Sequence, residues 1–551
     1  MSHSTLAVND RSAVLDSAHV GDIRGAFGTI KHGDTEARTG LSAKMKTLLA
    51  VVGPGLIVMC GDNDAGAFST YGQAGQDYGT SLLWVLLLLI PVLYVNQEMV
   101  VRLGAVTGVG HGKLILERFG RFWGAFSVID LFLLNALTVV TEFIGITLAA
   151  GYLGLPKVPA VIGAGTVVFA AACTGSFRRF ERVALTLCAG SLLLIPLALT
   201  LHPSAGQMAR GFALPSMPGG AQLSTVMLLI IGMVGTTVAP WQLFFQQSYV
   251  IDKRITTRFL KYEKADLWIG IAVVVIGAAA VIGFSAEAFS GMTDAARAGS
   301  FVDAHGLAVG IAAKAGHVAG VLFAIALLDA SVIGAFAVSL STAYAIGDTF
   351  GINHSLHRGM KQAKGFYAVY GGLIGIAATI VLIPGSPLGL ITNGVQAMAG
   401  VLLPSASVFL LLLCNDKEVL GPWVNGRKTN MFTAAVLGVL VTLSVILTAS
   451  VLFPNISARQ ILGIMIACGA GGLVAAGFAL RRHRAAGPQP DAFARLTPDE
   501  VENWRMPPLV ELGKAEMSRT RKAGMSALRL YLAVSAVLIV VKVVEMALAG
   551  K

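Results

Sequence analysis

Apolar stretches long enough to cross a bilayer recur along this chain. They fall at about 47–72, 80–104, 121–150, 158–174, 183–201, 222–250, 267–288, 315–346, 365–383, 388–413, 430–453, 459–480 and 526–549. The pattern predicts an all-α integral membrane protein. Two stretches are interrupted near their middles. The first interruption reads Cys60-Gly61-Asp62-Asn63-Asp64-Ala65-Gly66-Ala67, and the second Gly235-Thr236-Thr237-Val238-Ala239-Pro240-Trp241-Gln242. A helix broken at membrane depth exposes backbone polar groups, which is tolerated only inside protein or along a polar cavity.

Composition agrees with the pattern. Only 13% of residues are charged and mean hydropathy is +0.73, against roughly 25% charged in soluble domains. The net charge of +11 follows the loops rather than forming a nucleic-acid surface, and no nucleic-acid partner is expected. Loops after even-numbered spans are basic, as at Arg178, Arg179 and Arg182, or Lys253, Arg254 and Arg258. The segments 73–79 and 384–390 hold no Lys or Arg. By the positive-inside rule this predicts a multi-pass protein of the cytoplasmic (inner) membrane with its N-terminus inside and its basic loops against anionic lipid. Residues 1–46 read as a polar cytoplasmic tail without a signal-peptide pattern. Residues 414–480 read as two accessory spans, 481–525 as a basic cytoplasmic segment and 526–551 as a final span. The five cysteines have neither disulfide nor metal spacing and read as buried free thiols.

The interruptions lie in spans 1 and 6. Five spans separate equivalent places, the arithmetic of an inverted repeat covering about 47–201 and 222–413 within a ten-span core at 47–413. Paired broken helices point to a transporter's binding site. Asp62 and Asp64 lie two apart, on opposite sides of a continuous helix, but an unwound segment lets both face one cavity. A cation is therefore the expected guest. Pro240 frees a carbonyl one turn earlier, so Thr236 and Thr237 offer oxygen. Glu142, Gln97, Gln396 and Asp329 are further polar residues within spans and are candidates for the pathway. Trp241 and Gln242 stand beside the second break. Glu98 and Arg102, four apart, read as a structural ion pair.

With these residues in view, the chain resembles the NRAMP family of divalent metal transporters. The resemblance rests on Gly53-Pro54-Gly55, Gln73-Ala74-Gly75, Tyr78-Gly79, Arg102-Leu103-Gly104, Thr141-Glu142-Phe143-Ile144-Gly145, Gln396 with Leu403-Pro404, and Asn415-Asp416-Lys417-Glu418. It implies a LeuT-type fold of 5+5 inverted repeats with helices 1 and 6 broken, two or three further C-terminal spans, and a metal site between the breaks. The family's first-helix motif Asp-Pro-Gly-Asn is here Asp64-Ala65-Gly66-Ala67, and its sixth-helix Met-Pro-His is here Ala239-Pro240-Trp241. The thioether and the histidine linked to proton movement are absent, and an acid of helix 3 aligns with Val139. The expected ligands are Asp64, Asn63, Asp62, Thr236, Gln396 and backbone carbonyls, Ala239 included. An all-oxygen site suits Mg²⁺ and Mn²⁺, and the lost side chains leave room for a partly hydrated ion. This pattern resembles the family's magnesium-transporting branch. The metal is substrate, with no cofactor implied.

The competing readings are a proton-coupled Mn²⁺/Fe²⁺ symporter using Glu142, a sodium-coupled organic-solute symporter, and a membrane metal sensor that transports nothing. No nucleophile–base set suggests an enzyme. Oligomeric state is not encoded in any feature of the sequence.

Overall fold

A computed structural model describes residues 13–218, 222–384, 388–453, 456–485 and 495–515, with isolated residues outside these ranges. Nearly all of the expected final span lies outside the described residues. Among those that are described, each of the first twelve expected spans appears as a helix or a broken helix.

Span 1 is in three pieces. α1 (Leu41–Val51) bends by 53° into α2 (Pro54–Asp62), and α3 (Ala65–Tyr78) follows. The bend was not foreseen. Gly53 makes it with φ 151°, a value that disfavours any side chain. Pro54 then opens α2, where its missing N–H leaves no helical bond unmade. The first half continues with α4 (Leu83–Thr107), the short α5 (His111–Phe119), α6 (Arg121–Tyr152), α7 (Lys157–Ala172) and α8 (Phe177–Leu201).

The second half opens on α9 (Leu223–Thr237) and α10 (Pro240–Asp252), which together make broken span 6. Then come α11 (Leu260–Ala288), the short α12 (Ala304–Ala315), α13 (His317–Phe350), α14 (Lys364–Val381) and α15 (Leu388–Cys414). Two accessory helices follow, α16 (Arg427–Leu452) and α17 (Ala458–Ala485). Helices pack through small residues, as expected where lipid is as apolar as the side chains. A Cβ on Gly55 would stand 2.7 Å from the Leu267 backbone, and one on Gly400 2.6 Å from the Ile231 carbonyl. These contacts draw α2 onto α11 and α9 onto α15.

Charge is buried where span 1 bends. Lys253 donates to Glu181 at 2.5 Å and to the Val52 carbonyl at 2.7 Å, and neither charged side chain touches water. Asp266 accepts the N–H groups of Gly53 (3.1 Å) and Gly55 (2.7 Å). The start of α2 is thus stitched to α8, α10 and α11. The expected Glu98–Arg102 pair is present at 3.0 Å.

The described part of the polar head is a folded strap rather than a loose tail. Asp16 caps a short turn at Ser17–His19, and β1 (Ile23–Arg24) pairs antiparallel with β2 (Thr29–Ile30), Ile23 opposite Ile30. Arg254 donates to the carbonyls of Ala18 (2.9 Å) and Asp22 (3.0 Å), Arg178 to Gly25 (3.0 Å) and Arg182 to Ala26 (3.0 Å). Arginines read as lipid-facing are therefore engaged by the strap's backbone. Arg254 holds its grip from φ 68°, a strained value for a side-chain-bearing residue. The C-terminal segment behaves alike: α18 (Pro498–Asn503), closed by a Thr497–Glu500 capping box, receives the Trp423 indole N–H at the Val501 carbonyl (2.9 Å).

The strap's seal is pH-dependent. Burial opposes a charged His354, yet the Asp348 carboxylate at 2.9 Å raises its pKa from 6.5 to about 9. Burial also opposes ionised Asp16, but Arg358 and the Ala18 N–H hold it at about 2, below its ordinary 3.8. His354 therefore stabilises the seal fully below pH 6.5 and loses that contribution as pH rises through 9. Asp16 contributes fully above pH 3.8 and fails as pH falls through 2. Limited proteolysis at exposed Lys31 is expected to be flat from about pH 4 to 6, to accelerate steadily from about pH 6.5 to 9 and to level off above that. A flat profile through pH 10 contradicts this assignment.

Candidate metal centre

The first break is built around two carboxylates. Asp62 is the last residue of α2, and Asn63 (φ −81°, ψ 49°) turns the chain. Asp64 then caps α3, its Oδ1 accepting the Ala67 N–H at 2.8 Å. A carboxylate at a helix N-terminus is favoured by the aligned peptide dipoles.

The second break faces it. α9 ends at Thr237, Ala239 is extended (φ −83°, ψ 145°), and Pro240 opens α10. Pro240 has no N–H to make the helical bond to the Thr236 carbonyl. The Gln242 amide donates to Asp62 Oδ1 and, at 3.3 Å, to the Thr237 carbonyl. Gln97 of α4 donates to Gln242 Oε1 at 2.9 Å. The Tyr71 and Thr237 hydroxyls pair at 2.6 Å. The two breaks are thus joined by hydrogen bonds across the middle of the bundle.

On the other side of the first break, the carboxyls of Asp64 and Glu142 are in hydrogen-bond contact. Glu142 Oε2 also accepts the Ala65 N–H at 3.2 Å. Gly334 of α13 permits this, since a Cβ there would stand 2.5 Å from Glu142 Oε2 and 2.9 Å from the Asp64 Cβ. The Gln396 amide lies against Gly66 and close to Asp64 Oδ1. Asp62, Asp64 and Glu142 are 0%, 3% and 0% exposed, so the centre is closed to water. No Lys, Arg or His hydrogen-bonds any of the three, among the described residues. Asp62 Oδ2, Glu142 Oε1 and the Thr236 hydroxyl have no hydrogen-bond partner. Three acids in a dry interior, two of them with a free oxygen, call for positive charge.

The sequence candidates are placed unevenly. Asp62, Gln97 and Gln242 form one hydrogen-bonded set and Asp64 and Glu142 a second on the other side of the turn at Asn63, the Gln396 amide lies against Gly66 with its nitrogen unpartnered, and Thr236 is buried on the last turn of α9. Asn63 turns its amide to Gly277 of α11. The Ala239 carbonyl accepts the Gln242 N–H at 3.2 Å. Trp241 is buried with its ring near Gly61, and its carbonyl accepts the Ser341 hydroxyl at 2.8 Å. Asp329 stands apart, against Gly190 of α8. Tyr71 was not singled out, although it lies two turns beyond Asp64 on the same face of α3. Gly334 gives no sequence signal at all, because its role exists only through the approach of α13 to α6.

A family model described as "Natural resistance-associated macrophage protein-like" matches residues 55–450. The chain belongs to the Nramp family. This Nramp chain is 30% identical over 402 residues to the divalent metal cation transporter MntH of Ralstonia nicotianae, covering 70% of the chain and 87% of that relative. It is 26% identical over 431 residues to MntH of Pectobacterium carotovorum, covering 75% and 96%. Among solved structures it is similar to the Eremococcus coleocola manganese transporter, with TM-score 0.62 and 21% identity over 81% of this chain and 97% of that one. That likeness gives the fold, the LeuT-type arrangement that the family resemblance implied. Its relatives are transporters rather than enzymes.

Gly66 offers a local test. A Cβ there would collide with the Gln396 amide, the mobile end of a flexible side chain. Gly66→Ala is therefore expected to fold, with a thermal midpoint within a few degrees of the parent, while metal uptake falls about tenfold or more. Unchanged uptake would remove Gln396 from the centre.

Proposed function

We propose that this Nramp transporter imports Mg²⁺ and Mn²⁺ across the cytoplasmic membrane by alternating access, with its N-terminus inside and without obligatory proton coupling. Asp64 and Asp62 are the charged ligands, and Thr236, Gln396 and the carbonyls of the second break complete the shell directly or through water. The observation that carries the reading is the donor set: the side chains bonded to Asp62 and Asp64 offer only oxygen and nitrogen, and Ala239 and Trp241 stand where the family pattern has sulfur and imidazole. Hard oxygen sites favour Mg²⁺ and Mn²⁺ over softer metals. Among the described residues no three His, Cys, Asp or Glu side chains converge as metal ligands would. That favours an ion keeping part of its water, as Mg²⁺ does. One proton shared by Asp64 and Glu142, with one divalent ion, neutralises the three acids. The membrane potential alone supplies about 4.6 kcal/mol per 100 mV for a divalent ion.

Proton-coupled Mn²⁺/Fe²⁺ symport has one observation in its favour, the contact of Glu142 with Asp64. Proteoliposome flux separates the two. The expected result is Mn²⁺ uptake competed by Mg²⁺ more strongly than by Cd²⁺, no lumenal acidification tracking the metal, and loss of uptake in Asp64→Ala. Acidification in step with uptake establishes the symporter, and full uptake by Asp64→Ala overturns the site.

A further inference from the structure

A second group of buried acids lies between the centre and the basic face of the bundle. Gln246 follows Gln242 by four residues, about 6 Å further along α10 on the same side. Its amide faces Glu263 of α11. Glu263 is 0% exposed, and neither of its carboxylate oxygens has a well-formed hydrogen bond. Asp266, one turn later on the same face of α11, uses Oδ2 on the start of α2 and leaves Oδ1 unpartnered. Both Gln246 side-chain atoms are likewise unpartnered and buried. Glu181 and Lys253 pair nearby. Lys253 is shared among Glu181, Glu263 and Asp266, so three carboxylates stand against one ammonium and the partial positive charge of the α2 N-terminus.

Such an arrangement is costly in a dry interior unless positive charge visits it. Its position gives the visitor a route. The hydrogen-bonded series Asp62–Gln242–Gln97 ends one turn short of Gln246, and Glu263 and Asp266 follow towards the face that carries Lys253, Arg254 and Arg258. We propose that Glu263, Asp266 and Gln246 form a second cation site, which receives the partly hydrated divalent ion as it leaves the Asp62–Asp64 centre. The inference rests on the transport reading above. Two carboxylates and an amide oxygen offer hard ligands on one side only, and water supplies the rest, so the ion is held weakly enough to leave. The Asp266 bonds to Gly53 and Gly55 add a timing element. When α1 and α2 move away to open this side, Asp266 is released from the backbone and gains charge available for the ion.

Glu263 is the clean probe, since it makes no hydrogen bond whose loss would unfold the protein. In the purified full-length chain, Mn²⁺ binding is followed by electron paramagnetic resonance, and uptake is measured in liposomes. Asp64→Ala is expected to retain one weakly bound Mn²⁺, and Asp64→Ala with Glu263→Gln to retain none. Glu263→Gln alone is expected to lower the maximal uptake rate about tenfold with KM for external Mn²⁺ unchanged, and Glu263→Asp to restore most of it. Should Glu263→Gln fail to fold, Gln246→Ala serves, with the same direction and a smaller effect. The proposal is overturned if Asp64→Ala binds no Mn²⁺, if the double variant binds as Asp64→Ala does, or if Glu263→Gln alters only the pH dependence of uptake, which marks a proton site. If Asp64→Ala transports normally, the function itself falls. If Asp64→Ala is inert while Glu263→Gln behaves as the parent, this inference alone falls.

Discussion

Two interrupted helices, brought face to face in the middle of the bundle, set the terms for the rest of the molecule. Each interruption leaves peptide groups that helix geometry would have satisfied, at a depth where lipid offers nothing in return. The cost of an unmade buried hydrogen bond, about 1–3 kcal/mol each, is offset by making the ends serve one another. Asp64 bonds the open N-terminus of α3, Gln242 ties Asp62 to the end of α9, and Tyr71 reaches Thr237. What these bonds do not use is oxygen facing inward, and that remainder is the chemistry available to a cation.

The surrounding bundle is arranged to keep that remainder dry and negative. Glycine at Gly334 lets α13 press Glu142 against Asp64, and Gly66 leaves room for Gln396. Between this centre and the basic face, Lys253, Glu181 and Asp266 hold the beginning of α2. The strap formed by residues 13–40 crosses α8, α10 and the loop after α13. The pieces that surround the start of α2 on this side are therefore fastened by charge and hydrogen bonds rather than by apolar packing alone. Such fastenings respond to water, which enters when the helices separate and removes much of the cost of parting them.

Much of this was legible in the chain. Spans were legible because burial in lipid demands long apolar runs, and the breaks because Gly, Pro and carboxylates have no ordinary place within them. The directions in which polar groups point were less so. Asn63 was expected among the ligands but turns to Gly277, and Asp329 stands against Gly190, because helix rotation is decided by close glycine contacts between distant segments. The bend at Gly53 was hidden behind a Gly-Pro pair that also reads as a simple helix start. The strap was illegible for another reason: its few apolar residues are short in sequence, and its stability comes from Arg178, Arg182 and Arg254, whose charges alone suggest lipid. A positive residue at a membrane edge has two customers, headgroups and backbone carbonyls, and composition does not say which one it serves.

The position of the ion is the heart of this account. Anomalous scattering at the manganese absorption edge, from crystals of the full chain grown with Mn²⁺, locates it directly. The expected map has its strongest peak between the Asp62 and Asp64 carboxylates and the Thr236–Thr237 end of α9. A map with no peak there, under conditions where the same protein transports Mn²⁺, would contradict it.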